Sequence, residues 1–290
     1  MYKKSEKASE GVHITRYETT KRRLKIEVLL LSDLHWDNPD CNRKLLRQHL
    51  DLALANGYRI LLNGDTFCLM QGKYDPRSSK SKVRPEHQVD NYLDAIVDTA
   101  VEWFAPYAHL IDIVGYGNHE TSVLKRQETD LLKRFVYKIN KQTGSKIGLG
   151  GYGGWWLLKA KISGANTVYR IKYFHGSGGG GKVTKGMINL TRACEMYDGF
   201  DCFTMGHVHE IVGNHRTMET VNNSNKIVQK DVLLTITGTY KDEYKLGTKG
   251  WHVERGAPPK PVGGTLLTVE FYRKDAGMQV HAQATRLLPF

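Results

Sequence analysis

An α/β fold is predicted by three features of the chain: short apolar, β-branched runs alternate with segments of helical period, each run ends in a polar cluster, and strand-like runs grow denser after Gly148. The first run, KIEVLLL from Lys25 to Leu31, reads as a buried strand. Asn42 to Ala55 follows with Leu45, Leu46, Leu50, Leu52 and Leu54 at mixed helical spacing, and Gly57 stops it. The alternation continues with a strand from Arg59 to Leu62, a helix from Glu86 to Phe104, a strand from Leu110 to Val114 and a basic helix from about Thr121 to Asn140. Beyond GLGGYGGWW the expected strands are Trp156 to Lys161, Val168 to Phe174, a short one at Phe203, Val232 to Thr237 and Thr265 to Phe271. Gln71 to Pro85 and Tyr240 to Gly264, punctuated by Pro, Gly and Ser, read as loops. No internal repeat is present.

With 290 residues, 40% of them hydrophobic, the chain can bury one substantial core, so a single domain over residues 1–290 is expected. Residues 1–24 read as a basic N-terminal extension and 240–264 as a long loop suited to act as a lid. No apolar run approaches the roughly 18 residues of a membrane helix, since Ile26 to Leu31 ends at Ser32 and Asp33. The start MYKKSEKASEG lacks the apolar stretch of a secretory signal, so a soluble cytoplasmic protein is expected. Cys41, Cys68, Cys194 and Cys202 form no C-x-x-C pair, which argues against a zinc knuckle or disulfide framework and for reduced, mostly buried thiols. A net charge of +12 and a pI near 9.4 bias the surface toward anions: nucleic acid, nucleotides, anionic lipid headgroups or phosphorylated sugars. Charge of this kind gives a direction and no partner, and nothing in the sequence fixes the oligomeric state.

The chemistry-bearing residues follow the strands. Strand one runs into Ser32-Asp33-Leu34-His35, strand two into Asn63-Gly64-Asp65, strand three into Gly117-Asn118-His119-Glu120, strand four into His175-Gly176, and the short strand at Phe203 into Gly206-His207-Val208-His209. Each alone fits a helix cap or an ordinary surface residue. Five in succession at strand ends are brought together by a parallel or mixed sheet, whose ligands gather at the carboxyl edge. Asp oxygens, imidazole nitrogens and an Asn carbonyl suit Mn²⁺, Fe or Zn²⁺ and not Ca²⁺, which prefers oxygen throughout. In Asp33-Leu34-His35 and His207-Val208-His209 the i, i+2 spacing puts both side chains on one face if the segment stays extended.

The order D-x-H, G-D, G-N-H-E, H-G, G-H-x-H resembles the calcineurin-like metallophosphoesterases, and it covers Asp33 to His209. The resemblance implies a four-layer α/β/β/α sandwich of two mixed sheets with flanking helices. It implies two divalent metal ions, Mn²⁺ first and Fe or Zn²⁺ as alternatives. Asp33, His35 and His209 would ligate one, Asn118, His175 and His207 the other, with Asp65 bridging and His119 as the catalytic histidine. Such cations, about 3.5–4 Å apart, lower the pKa of a bridging water for in-line attack on a phosphomonoester or phosphodiester. His119 would stabilise the equatorial oxygens or protonate the leaving alkoxide, a contribution of about 10²- to 10⁴-fold. One departure stands out: family members commonly carry an acidic residue three positions after the G-D aspartate, and this chain has Cys68 there. Leu69 replaces the Arg of the protein phosphatases, so a phosphoprotein phosphatase is not expected.

Other motifs weigh less. Gly176 to Lys182 spells G-x-x-x-x-G-K, but Val183 stands where a P-loop needs Ser or Thr. His119-Glu120 and His209-Glu210 begin H-E-x-x-H, but Val123 and Gly213 occupy the second histidine's place. His13, His49, His87, His109, His215 and His281 have no ligand spacing. His252, beside Trp251 in a loop with Tyr240, Lys241, Tyr244 and Lys245, is a candidate substrate-binding residue of an aromatic and basic lid. Lys73 and Arg77, with Lys80, Lys82 and Arg84, form either a basic rim for phosphate or a solvated loop. The Lys125, Arg126, Lys133, Arg134 and Lys138 helix reads as a solvated face. Two further functions compete with a small-ester hydrolase. One is a metal-dependent DNA or RNA nuclease, favoured by the +12 charge and disfavoured by Cys68. The other is a non-catalytic metal-binding scaffold, whose expected signature, loss of ligands, is missing here.

Overall fold

The computed structural model describes residues 1–69, 79–222, 224–244, 247–248, 250–275 and 277–287. In chain order the first half contains β1 (Tyr2–Ser9), β2 (Val12–Thr19), β3 (Arg23–Leu31), α1 (Arg43–Asn56), β4 (Arg59–Asn63), α2 (Tyr92–Phe104), β5 (Ile111–Gly115), α3 (Asn118–Gln127), α4 (Leu131–Thr143) and β6 (Gly148–Leu149). The second half contains β7 (Gly153–Ile162), β8 (Ala165–Phe174), α5 (Met187–Cys194), β9 (Cys202–Met205), β10 (Val212–Val221), β11 (Ile227–Ile236), α6 (Trp251–Glu254), β12 (Thr265–Lys274) and β13 (Gly277–Arg286).

These strands form two mixed sheets flanked by helices. One has seven strands in the order β1-β2-β7-β8-β9-β11-β10, the other six in the order β13-β12-β3-β4-β5-β6. β3, β4, β5 and β6 run parallel, as do β8, β9 and β11, so the carboxyl ends of these strands share an edge within each sheet. The alternation of β3 shows how the layers are held. Ile26, Val28 and Leu30 pack between the sheets with Trp156, Leu158, Ile171 and Phe271, while Leu29 and Leu31 face α1, α2 and α4 through Leu46, Leu50, Ile96 and Phe135. A third cluster packs α5 on the outer face of the seven-stranded sheet through Leu190, Phe203, Met205 and Ile236. The order helix, sheet, sheet, helix is the expected sandwich. Among the described residues no helix is long and apolar enough to cross a membrane.

Several elements depart from the sequence reading. Residues 2–19, read as part of a basic extension, form the β1–β2 hairpin, and β2 pairs in parallel with β7. Its charges are largely paired on its surface, as in Lys4–Glu6 and Arg16–Glu6, while Ile14 and Tyr17 are buried. The helix expected from Glu86 begins at Tyr92, because Pro85–His87 closes a separate 3₁₀ turn first. The basic helix from Thr121 to Asn140 is two helices. Glu128 turns left-handed (φ 51°) and Asp130 starts α4 by accepting from the Lys133 N–H. Arg134 and Lys138 of α4 pair with Asp94 and Asp98 of α2. All four cysteines are free and buried.

Candidate metal centre

The five sequence clusters follow β3, β4, β5, β8 and β9, the third of them opening α3, and their side chains converge. Asp33, His35 and His209 bring ligand atoms within 4.8 Å of one another, and Asp65, His175 and His207 do the same. The Asn118 Oδ1 lies 2.8 Å from His207 Nδ1 and 3.2 Å from His175 Nε2, joining the second group. His175 Nε2 is 3.5 Å from Asp65 Oδ2, and His209 Nε2 is 3.3 Å from Asp33 Oδ1.

Local backbone explains the convergence, and it corrects one expectation. The D-x-H and H-x-H segments are not extended. Asp33, His35, Asp65, His207 and His209 all have left-handed φ, between 45° and 69°. Each such residue costs on the order of 1–3 kcal/mol and persists only where its surroundings hold it. Here the holding groups are visible: the Asp33 N–H donates to Gly64 O, the His35 N–H to Asp65 O, the His207 N–H to Asp33 Oδ2 and the His119 N–H to Asp65 Oδ1. Two glycines are dictated by close approach. A β-carbon at Gly117 would fall 2.1 Å from Asp65 Oδ1, and one at Gly206 would fall 2.6 Å from Asp33 Oδ2.

The donors fit divalent metal ions. Both ring nitrogens of His35 are buried without a hydrogen-bond partner, and Asp33 Oδ1 meets only His209 Nε2 at 3.3 Å, an arrangement that a cation would satisfy. His175 Nδ1 donates to Asn63 O at 2.9 Å, which aims Nε2 at Asp65 Oδ2 and Asn118 Oδ1. Burial opposes charge on Asp33 and Asp65, yet the histidines around them, His209 for Asp33 and His119 and His175 for Asp65, keep both carboxyls below their usual range. Burial likewise disfavours a charged His175, but Asp65 outweighs it and raises the imidazole to about 10. Two buried carboxylates therefore demand positive charge, which two cations would supply in place of protons.

The supporting tier was not read from the sequence. Glu120, fully in place as the third residue of α3, accepts N–H groups from Gly117 (2.8 Å), Phe67 (2.9 Å) and Asp65 (3.1 Å), tying the second and third loops together. Burial, then the Asp65 charge, pushes its carboxyl up to about 8. Asp37 is 2% exposed, and its carboxylate accepts from the Cys68 and Leu69 N–H groups at 2.5 and 2.9 Å. The Cys68 carbonyl in turn accepts from His119 Nδ1 at 2.5 Å. A carbonyl only accepts, so Nδ1 carries the proton and Nε2 faces the centre, 3.9 Å from Asp65 Oδ2. The orienting group expected from a side chain at position 68 is thus supplied by its backbone. The available signal was the alternation Asp33-x-His35-x-Asp37 in the sequence.

The other candidate residues fare differently. Lys73, Arg77 and Lys245 lie outside the described residues. Lys82 and Arg84 do not present a free rim: Lys82 pairs with Asp40, and Arg84 donates to Asn38 O and Cys41 O. Tyr240 is not part of an aromatic lid. It is fully buried beneath the site, its N–H on Asp33 O and its hydroxyl 2.6 Å from His49 Nδ1. Lys241 is buried and pairs with Glu243 at 3.0 Å. His252 is 4% exposed in the same segment, which Lys260 fastens to Glu210, the residue after His209, at 2.6 Å.

No protein-family model and no curated protein matches the chain. Among solved structures, vacuolar protein sorting 29 from Cryptosporidium parvum is 12% identical with a TM-score of 0.36, over 91% of this chain and 99% of that one. A Vps29 single mutant from Entamoeba histolytica gives 12% and 0.36 over 90% and 99%. GAP50, the anchor in the inner membrane complex of Plasmodium, gives 10% and 0.41 over 91% and 88%. At these identities and scores the likeness concerns the course of the chain, and nothing about this protein's activity rests on it.

Proposed function

We propose that this protein is a two-metal phosphoesterase that hydrolyses a phosphomonoester or phosphodiester. The observation that carries the reading is the convergence of Asp33, His35 and His209 beside Asp65, His175, His207 and Asn118, with both buried ring nitrogens of His35 left without a hydrogen-bond partner. A divalent pair bound there supplies Lewis-acid polarisation of the phosphoryl group and a water acidic enough to attack it. The chain's own part is positioning. Asp65 belongs to the second group, 3.5 Å from His175, and accepts the His119 N–H, so as the bridging ligand it would tie both metal sites to the catalytic histidine. His119, its Nδ1 committed to the Cys68 carbonyl, presents Nε2 to the departing oxygen. The ring also packs edge-on to His35 with centroids 4.7 Å apart, which limits its rotation.

The net charge of +12 suits a polyanionic substrate, so a nuclease is the alternative within this reading. The test is Mn²⁺-supported hydrolysis of bis-p-nitrophenyl phosphate, p-nitrophenyl phosphate and labelled single- and double-stranded DNA by wild type, Asp65→Asn and His119→Ala. Asp65→Asn should lose metal and activity together. His119→Ala should keep its metal and lose about 10²- to 10⁴-fold in kcat. Cleavage of DNA that falls steeply with salt selects the nuclease, and small esters alone select a nucleotide or metabolite phosphoesterase. A metal-replete wild type inert toward all four substrates would sink catalysis and leave a metal-binding scaffold.

A further inference from the structure

The outer face of the seven-stranded sheet concentrates positive charge. Among the described residues α5 is the helix that packs on this face, and its cluster of Leu190, Phe203, Met205 and Ile236 lies over β9 and β11, with Trp155 of β7 at its margin. Further along β7 the outward side chains Leu157, Lys159 and Lys161 are half-buried or exposed, while Leu158 and Ala160 between them are buried. In register across this face Lys4 of β1 stands opposite Arg16 of β2, and Arg16 stands opposite Lys159 of β7. Like charges directly opposite one another destabilise a sheet. The acidic residues nearby do not cancel them: Glu6 is shared by Lys4 and Arg16, Glu18 by Lys3 and Lys161, and Asp201 by Arg170 and Lys230. Each sharing leaves one positive charge, and Lys159 and Lys172 have no carboxylate partner among the described residues. A cavity of about 710 Å³ opens at this end of the sheet, lined in part by Lys3, Lys4, Arg16, Lys159 and Lys161.

The second observation is Lys172, opposite Trp155 in the pairing of β7 with β8. It is 6% exposed, and its ammonium is held by two rings alone, 4.1 Å from the centroid of Tyr197 and 5.4 Å from that of Trp155. Burial with no acid to offset it disfavours the charge, a cost that a bound anion would recover. From Trp155 to Lys161 the face runs about 20 Å along β7 at roughly 3.3 Å per residue, and β8 continues it through Arg170 and Lys172 toward His175 at the metal centre. We infer that this face binds single-stranded nucleic acid, with phosphates along Lys4, Arg16, Lys159, Lys161 and Lys172 and unpaired bases on Trp155 and Tyr197. Cations beside aromatic rings are what a single strand requires, since its bases are free to stack and those of a duplex are not. Both rings are half-buried between the sheet and the turn after α5, so they do not project as the apolar side chains of a membrane-binding surface must. The inference goes beyond the two-metal reading and does not depend on it.

The test is fluorescence anisotropy of a labelled oligothymidylate of about 20 nucleotides, titrated with the full metal-loaded chain at several salt concentrations. Where wild type cuts the strand, His119→Ala takes its place in every titration. Log Kd should rise linearly with log salt, by about 0.7 for each phosphate contacted. A variant carrying Arg16→Gln, Lys159→Gln and Lys161→Gln should lower that slope by about 2, and Lys172→Met by about 0.7. Tyr197→Ala should weaken binding about 5- to 150-fold at unchanged slope, the effect of one lost stacking platform. A control with Lys125→Gln, Lys133→Gln and Lys141→Gln removes the same charge from α3 and α4 and should leave the slope as it was. No binding at low salt, or equal losses in the control and the sheet variants, overturns the inference. Binding of phosphatidylserine vesicles without binding of the oligonucleotide also overturns it and assigns the face to a membrane. If Lys172→Met or Tyr197→Ala does not fold, the triple sheet variant, whose side chains lie on the surface, decides. Hydrolysis of bis-p-nitrophenyl phosphate by that variant should stay at the wild-type level, so failure of this inference and failure of the two-metal reading are read separately.

Discussion

Replacing Asp37 should disable His119 without touching a metal ligand. The Asp37 carboxylate is the only acceptor seen among the described residues for the Cys68 and Leu69 N–H groups, and it is buried. Removing it strands two buried donors at about 1–3 kcal/mol each, or about 2–6 kcal/mol together. Leu69 adds to this, since its left-handed backbone (φ 54°) stores on the order of 1–3 kcal/mol that the clamp now opposes. A loss of that size is a large share of a typical stability of about 5–15 kcal/mol, so Asp37→Ala risks unfolding. Asp37→Asn is the useful variant, because its amide oxygen keeps one donor while its NH₂ repels the other. The Cys68 carbonyl then shifts and His119 Nδ1 loses its fixed partner. A displacement near 1 Å at a catalytic group costs about 10²-fold. The expected result is a kcat on bis-p-nitrophenyl phosphate about 10²-fold below wild type, with metal content unchanged. In the double variant, Asp37→Asn should add little to His119→Ala, because the two act as one unit. Wild-type kcat in folded Asp37→Asn, or full multiplicativity with His119→Ala, would refute the chain from Asp37 through the Cys68 carbonyl to His119.

Two further outcomes bear on the fold around the site. His13 is 1% exposed with both ring nitrogens unpartnered, and burial, aided by Lys7, holds its pKa below the usual 6.5. The unfolded chain takes up a proton near pH 6.5 that the folded chain refuses, so this contribution to stability is complete above 6.5 and is lost as pH falls below it, at up to about 1.4 kcal/mol per pH unit. His13→Gln should flatten the acid side of the Tm profile, and an unchanged slope would show that His13 is not the group responsible. Tyr240→Phe removes a buried hydroxyl from His49 and should cost about 1–3 kcal/mol while leaving kcat as it was. A drop in kcat at full stability would instead give Tyr240 the lid role that its burial denies.

What was legible in the sequence follows what is buried. β4, β5 and β9 are short and wholly interior, and β3 is buried over Val28 to Leu31, so their apolar runs announce them. β10 is exposed along nearly its whole length, and β13 sets only the part-buried Met278, Ala282 and Ala284 against the core, so the apolar signal of both is weak. β1 fails for the same reason, its charged residues being held by β2 and not by a core. The split between α3 and α4 turns on one residue, Glu128, in a conformation that glutamate seldom adopts, and composition carries no sign of it. At the site, residue types and their order survive reduction to a string of letters. Backbone hand does not, and the extended geometry expected for Asp33 to His35 gave way to left-handed turns at both residues.

Position 68 shows why a motif departure need not mean a lost function. An acidic side chain there would hold the catalytic histidine with a carboxylate. In this chain the same task falls to the main-chain carbonyl of Cys68, and any residue type has one. What makes the carbonyl available is Asp37, which fixes the Cys68 and Leu69 N–H groups on either side of it and so fixes the direction of the peptide. The negative charge has moved from position 68 to position 37, where it no longer touches the histidine. Two consequences follow from that displacement. The histidine faces a neutral acceptor through Nδ1, so the negative charge at its ring comes from Asp65, 3.9 Å from Nε2. The side chain at 68, relieved of the orienting role, is free to turn a sulfur toward His35, and Asn38 is there to hold it.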